Sequence, residues 1–410
     1  MTHTTNRSKT ALVLAGGGLT GAVYEIGALR AINDLLLDRT VNDFDIFIGT
    51  SAGAIVASSL ANGITPETMM QANAGRHPHI PPIERKDIFN LSRTEFLRRG
   101  LKLPRTFALA WSKFLRGADD MSLFDVFWSM LEALPSGVYD GMALERYIRK
   151  VLSGPGLSNR FEALDKELYI IATELDSGER AVFGPGYSQG VPISLAVAAS
   201  SAVPMVYKPV CINGREYVDG GLRGTASLDL AIEHGAELVL CINPLVPFDS
   251  RSRRARFRLS DKGMQAVANQ ATRISMHSGL HYHIKQLRRS HPGVDIILIE
   301  PRPDDYQMFF HNVLRYSARL LIAHHGFESV TVDLTAEYQR YKTILERHGI
   351  HISRRRVIKE LTAIQASGEN PQIIQDVLEA RPLPDDLPLP PVAQLQRTLN
   401  ELERTIESLA

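Results

Sequence analysis

Phe44-Asp45-Ile46-Phe47-Ile48-Gly49-Thr50-Ser51-Ala52-Gly53-Ala54-Ile55 is the stretch whose reading decides the fold. Phe44 to Ile48 reads as a buried strand and Ala52 to Ala61 as a helix. Between them, G-x-S-x-G forces a sharp turn: the flanking glycines let the chain reverse and lift the serine out of the sheet. The Ser51 hydroxyl then sits at a helix N-terminus, where backbone N–H groups favour developing negative charge. A lone G-x-S-x-G is a weak signal, since a serine here can be an ordinary helix N-cap. The strand–turn–helix context makes it a strong one.

Upstream, the pattern repeats. Thr10 to Ala15 is a short apolar run, and Gly21 to Leu37 places Val23, Ile26, Leu29, Ile32 and Leu36 at helical spacing. Strand, glycine turn and helix, twice over, imply an α/β fold with a parallel sheet and right-handed crossovers. The joining turn is Gly16-Gly17-Gly18-Leu19-Thr20-Gly21. Its glycines at 16, 18 and 21 satisfy G-x-G-x-x-G, so a dinucleotide site in an NAD(P)-dependent oxidoreductase is one reading. That site wants an acidic residue ending the second strand. Here the second strand runs into the serine elbow, and Asp38 and Asp43 precede it. The other reading is an oxyanion hole, with the amides of Gly16, Gly17 and Gly18 joined by that of Ala52. Each such donor is worth roughly 2.7–4 kcal/mol in the transition state of acyl transfer. Two glycine turns at the same end of adjacent parallel strands face one crevice, and the combination outweighs the dinucleotide reading.

A serine nucleophile needs a base. Tyr217-Val218-Asp219-Gly220-Gly221 ends a strand-like run in a glycine turn, which could aim a carboxylate at the elbow or be an ordinary Asp-Gly turn. Ten of the thirteen histidines follow Asp219, so composition leaves a Ser…Asp…His order open. None stands in a recognisable motif; His234 falls near a helix end, where a histidine is often only a dipole partner.

Taken together, Gly16 to Gly21, Gly49 to Gly53 and Asp219 to Gly221 resemble the patatin-like phospholipases, which carry these three motifs in this order. Ala199-Ser200-Ser201-Ala202-Val203-Pro204 is similar to that family's A-S-x-A-x-P segment, and Gly27 and Thr173 to Gly178 also look family-like. The resemblance covers residues 10 to 245 well and fades by about 330. It implies a three-layer α/β sandwich and a Ser51–Asp219 dyad without histidine. It further implies hydrolysis of fatty-acyl esters of lipids or phospholipids, with no metal and no cofactor. The family often has arginine where this chain has Thr20, which removes a positive charge beside the oxyanion or head group.

Beyond these motifs, Leu168 to Thr173, Ala181 to Phe183, Val210 to Ile212, Glu216 to Val218, Leu238 to Ile242 and Asp295 to Ile299 read as strands. Helices are expected at Ile193 to Ala199, Ala226 to His234 and Asn312 to His324. The hydrolase domain is expected over 1–330, with a helical, lid-like insertion at about 65–135. A helical extension over 331–381, a proline-rich linker over 382–391 and a heptad-patterned helix over 392–410 complete the chain. From Arg76 to Arg116 the insertion holds ten Lys/Arg against three acids, interleaved with aromatic residues. It suits peripheral contact with anionic membrane, or equally a solvated cap. The run Arg251 to Arg258 reads as a solvated loop. The terminal seam Val392, Leu395, Leu399, Leu402, Ile406 and Leu409 could form a homodimer or fold back.

The 410 residues carry a net charge of +1, which gives no argument for nucleic acid. Cys211 and Cys241 lack disulfide-scaffold or zinc spacing and are expected to be small buried hydrophobes. The polar Met1 to Lys9 and the lack of an 18-residue apolar run point to the cytoplasm, with peripheral membrane contact at most. A non-catalytic membrane-associated module remains the third reading.

Overall fold

A computed structural model describes residues 8–92, 134–249, 258–303 and 316–379, together with 108, 109, 112 and 251. The strands are β1 (Thr10–Leu14), β2 (Ile46–Thr50), β3 (Gly137–Tyr139), β4 (Glu167–Glu174), β5 (Arg180–Phe183), β6 (Met205–Tyr207), β7 (Val210–Ile212), β8 (Arg215–Asp219), β9 (Leu238–Ile242) and β10 (Asp295–Ile299). The main sheet runs β10-β9-β1-β2-β4-β8-β7, with β5 also on β4; β3 and β6 form a separate parallel pair. From β10 to β4 every neighbour is parallel, and β8, β7 and β5 join antiparallel. All residues of β1, β2 and β9 are buried, the continuous apolar signature of parallel strands covered on both faces.

Apart from a single turn at Arg85–Ile88, the described helices are α1 (Gly18–Leu35), α2 (Ala52–Ala61), α3 (Pro66–Asn73), α4 (Met142–Leu152), α5 (Ile193–Ser200), α6 (Leu228–Glu233), α7 (Met264–Ser290), α8 (Tyr316–Ala336), α9 (Tyr338–Arg347), α10 (Arg355–Ala366) and α11 (Pro371–Glu379). Leu12, Leu14, Phe47, Leu240 and Ile242 pack with α1, α2, α5 and α8 on one face. Their alternate neighbours Val13, Ile48, Val239 and Cys241 pack with α6 and α7 on the other. The period-2 alternation of strand side chains thus serves two cores, and the fold is a three-layer α/β sandwich with a mainly parallel sheet.

Two features fix α1 at the centre of its layer. A Cβ on Gly27 would lie 1.9 Å from the Ala323 carbonyl oxygen, and one on Gly326 2.3 Å from that of Tyr24, so α1 and α8 meet backbone to backbone. Lower on α1, the Arg30 side chain is fully buried and paired with Asp34, with Glu67 on α3 at 3.4 Å and with Glu360 on α10 at 3.5 Å. It also donates to the Val377 carbonyl on α11 at 3.1 Å. Helices α10 and α11 are thereby tied to α1 by a charge whose loss of one partner would strand another in the core.

Several elements depart from their expected form. Helix α1 begins at Gly18 rather than Gly21, because Gly17 serves as its N-cap. The 27-residue α7 carries no expected helix: only Leu280, Ile284 and Leu287 reach the core, too sparse a stripe to show as periodicity. Cys241 is buried as expected, but Cys211 is exposed, because the short end strand β7 buries only Val210 and Ile212. No helix among the described residues is long and apolar enough to cross a membrane. Most of the basic, aromatic insertion, residues 252–257 of the second basic run, and the linker and heptad seam from 382 onward lie outside the described residues.

Gly27→Ala should lower stability by about 3 kcal/mol, the upper end for overpacking, since the atoms the new Cβ would meet are backbone and cannot swing aside. Gly279→Ala, in open space on α7, should be neutral or stabilising; urea denaturation of the two variants checks the contrast.

Candidate active site

Strand β2 delivers Ser51 in a conformation that side chains seldom adopt, φ 54° and ψ −123°, at a cost on the order of 1–3 kcal/mol. The surroundings leave it no alternative. A Cβ on Gly49 would stand 2.5 Å from Cα of Ala54, and one on Gly53 2.4 Å from the Leu14 carbonyl oxygen. Both glycines are therefore required by close approach of α2 to β2 and β1. The last turn of α5 holds the strained residue. The Ser51 N–H donates to Ser200 Oγ at 2.7 Å, and Ser200 Oγ donates to the Ile171 carbonyl at 2.5 Å. Ser201 Oγ donates to the Ser51 carbonyl at 3.2 Å. Sequence reasoning placed Ser200 and Ser201 only within a motif; their bracing of the elbow depends on where α5 ends against β2.

Asp219 ends β8, which lies antiparallel to β4 with Ala172 opposite Asp219. Its backbone is fixed at both ends, by N–H to the Ala202 carbonyl at 2.9 Å and by Thr173 Oγ1 donating to its own carbonyl at 3.1 Å. The carboxylate is divided: Oδ1 accepts the Gly221 N–H at 2.8 Å and Oδ2 accepts the Ser51 hydroxyl at 2.5 Å. Gly220 admits no side chain, since its Cβ would fall 2.3 Å from the Ile171 carbonyl oxygen. Ser51 and Asp219 are both buried. Burial pushes the Asp219 carboxyl up to about 6, against the hydrogen bonds from Ser51 and Gly221 that pull it down.

Among the described residues, no histidine is hydrogen-bonded to Ser51 or Asp219. His234 stacks on Tyr169 and its two ring nitrogens meet the hydroxyls of Tyr169 and Tyr187, a structural role on the far face of the sheet.

The first glycine turn abuts the elbow, with a Cβ on Gly16 falling 3.3 Å from Cβ of Ser51. Gly16 cannot serve as an anion donor as expected, because its N–H is given to the Thr225 carbonyl at 3.2 Å. The amides of Gly17 and Gly18 have no acceptor among the described residues, and Gly18 is solvent-exposed with φ 60°. The Ala52 amide, first in α2, is likewise an orphan donor of a helix start. Pro244 packs behind the turn, leaving room for no Cβ on Gly17 or Gly21. Beside the turn lies an apolar cavity of about 100 Å³ between α1, α2, α3 and α4, lined by Leu19, Val23, Ile55, Met69 and Tyr147 among others.

The sequence matches the patatin-like phospholipase family over residues 12–232, more than half the chain. The chain belongs to the patatin-like phospholipase family. The matched span begins in β1 and ends in α6, so it contains both glycine turns and Asp219. The probable lipid hydrolase 463L of Invertebrate iridescent virus 6 is 22% identical over 223 residues, 54% of this chain and 63% of that one. The uncharacterized protein R571 of Acanthamoeba polyphaga mimivirus is 24% identical over 212 residues, 51% of this chain and 57% of that one. The chain thus spans about six-tenths of the length of these relatives. Of solved structures, VipD from Legionella pneumophila aligns over 80% of this chain and 67% of its own, with 15% identity and a TM-score of 0.37.

A patatin-like site that keeps a carboxylate out of water carries a stability cost when that carboxylate ionises. Asp219 titrates near 6 in the fold against 3.8 free, so the folded state holds its proton longer than the unfolded chain. Its stabilising effect is complete below about pH 4 and is lost as pH rises through about 6. Asp219→Asn should therefore raise Tm at pH 8, by the equivalent of up to roughly 3 kcal/mol, with the gap closing below pH 4. Thermal denaturation of both proteins across that range measures it.

Proposed function

We propose that this protein is a serine acyl hydrolase that cleaves fatty-acyl esters of lipids or phospholipids with a Ser51–Asp219 dyad. The observation that carries the reading is the 2.5 Å hydrogen bond from the Ser51 hydroxyl to Asp219 Oδ2 at a strained strand-to-helix elbow. Family membership supports the lipid substrate, as does the name of the viral relative.

The chemistry follows from the parts. Asp219 accepts the Ser51 proton as Oγ attacks the ester carbonyl carbon. The carbonyl oxygen becomes an oxyanion, for which the amides of Gly17, Gly18 and Ala52 are the available donors. Collapse expels the alcohol, which takes the proton from Asp219 and leaves an acyl-serine. Water then attacks that ester, giving its proton to Asp219; the fatty acid departs and Ser51 recovers its hydrogen. A base near pH 6 is matched to neutral operation, being ionised yet still basic enough to take a proton. No step calls for histidine.

The apolar cavity supplies the chain-binding part. Leu19 follows the glycine turn and Ile55 sits one helical turn beyond Ser51, so the cavity borders the two helices whose first turns carry the oxyanion donors and the nucleophile. Met205, 82% exposed, and Leu222, 57% exposed, flank the site in sequence at Ala202 and Gly221, and give a lipid an apolar rim to approach. Contact with a membrane through the basic insertion and dimerisation through the terminal seam both rest on the sequence pattern alone.

Ser51→Ala should abolish fatty-acid release from a long-chain ester, and full retained activity would sink the proposal. In the wild-type protein kcat/KM should rise with pH through about 6 and level above it, following Asp219 ionisation. Ile55→Trp should fill the cavity and cut turnover of long-chain esters by at least about tenfold while sparing acetyl esters. Equal losses on both substrates would remove the cavity from the account.

A further inference from the structure

The strand ends that carry the Ser51 site hold a second cluster of functional side chains that the hydrolase chemistry leaves unused. Glu300 follows β10, and Asn243, fully buried, follows the neighbouring β9. Asn243 Nδ2 donates to Glu300 Oε1 at 2.7 Å, while its own Oδ1 accepts the Leu245 N–H at 3.2 Å, so the carboxylate is held by an amide that is itself fixed. Helix α7 brings His277 and His281 over it from successive turns. His281 Nε2 lies 2.9 Å from Glu300 Oε2 and His277 Nε2 3.4 Å from Oε1, with the ring centres 4.2 Å apart. One donor atom from each of the three residues lies within 4.8 Å of the others.

We propose that His277, His281 and Glu300 form a binding site for a divalent cation of the zinc class. Tetrahedral zinc with ligands at 2.0–2.1 Å has donor–donor edges of about 3.3 Å; the two imidazoles stand at 2.9 and 3.4 Å from the two oxygens of one carboxylate, so a small turn of the carboxyl would give both a shared ligand oxygen near that edge. The ligand chemistry also selects the ion. Two imidazoles and one carboxylate suit zinc and its transition-metal neighbours, whereas calcium and magnesium require mostly oxygen ligands. An ordinary ion pair needs only one histidine on this carboxylate. Here both i and i+4 imidazoles turn to it, and Asn243 supplies the outer hydrogen bond that metal-binding carboxylates use to hold their aim. His281 is exposed while His277 and Glu300 are half-buried, which leaves an entry path and an open coordination position for water. The cation would pin α7, whose core contacts begin only at Leu280, to the ends of β9 and β10.

None of the three side chains is hydrogen-bonded to Ser51 or Asp219. The full chain, stripped with EDTA and dialysed, is titrated with Co²⁺ under visible spectroscopy, then with Zn²⁺, Mg²⁺ and Ca²⁺ by calorimetry. One equivalent of Zn²⁺ should bind, Co²⁺ should give intense tetrahedral d–d bands that Zn²⁺ displaces, and Mg²⁺ and Ca²⁺ should give no saturable heat. Removing a ligand by His277→Ala or His281→Gln should weaken Zn²⁺ at least about 100-fold, since even outer-shell losses cost 10–100-fold. His281 is exposed, so its variant should fold and retain ester hydrolysis, with far-UV circular dichroism as the check. Absence of stoichiometric Zn²⁺ binding, or undiminished binding in both histidine variants, would overturn the site.

Discussion

The Ser51 backbone is the constraint from which the rest of this structure takes its form. Holding a serine at φ 54° needs glycine at 49 and 53, because the first turn of α2 must touch β2 and the end of β1. That contact requires β1 and β2 to be adjacent, parallel and fully buried, which in turn requires helices on both faces of the sheet. The two serines at the end of α5 then take up the Ser51 amide, which the turn leaves unpaired, and add a second donor to the Ser51 carbonyl beside the Ala54 amide. The fold and the site are one packing solution.

The Asp219 carboxylate is placed by a different device. Asp219 arrives from the antiparallel side of the sheet, where β8 pairs with β4, and is turned towards the elbow by the amide of Gly221. Its burial opposes ionisation, and two hydrogen bonds recover only part of that loss. The protein thus keeps a carboxylate whose charged form, the one the proposed chemistry uses, is unfavourable to folding, a common trade at functional sites.

The central strands, α1, α2 and the two glycine turns were legible in the sequence because each is a local pattern: continuous apolar runs, helical spacing and glycines where the chain must turn. Asp219 was not legible locally, since 168 positions separate it from Ser51, and family resemblance supplied it. The loss of Gly16 as an anion donor follows from a tertiary hydrogen bond to Thr225 that no local pattern announces. Helix α7 was missed because it rests on the sheet by three residues only, and with it went the His277–His281 spacing. Cys211 was misplaced because a short end strand buries one face alone.

The account rests on Ser51 being a nucleophile and not a strained structural serine. Reaction with an alkyl fluorophosphonate at pH 8, read by intact mass and peptide mapping, tests this most directly. The account predicts one adduct per chain, located on Ser51, forming far more slowly in protein held at pH 5, where Asp219 is largely protonated. An unmodified Ser51, or an adduct confined to another residue, would contradict it.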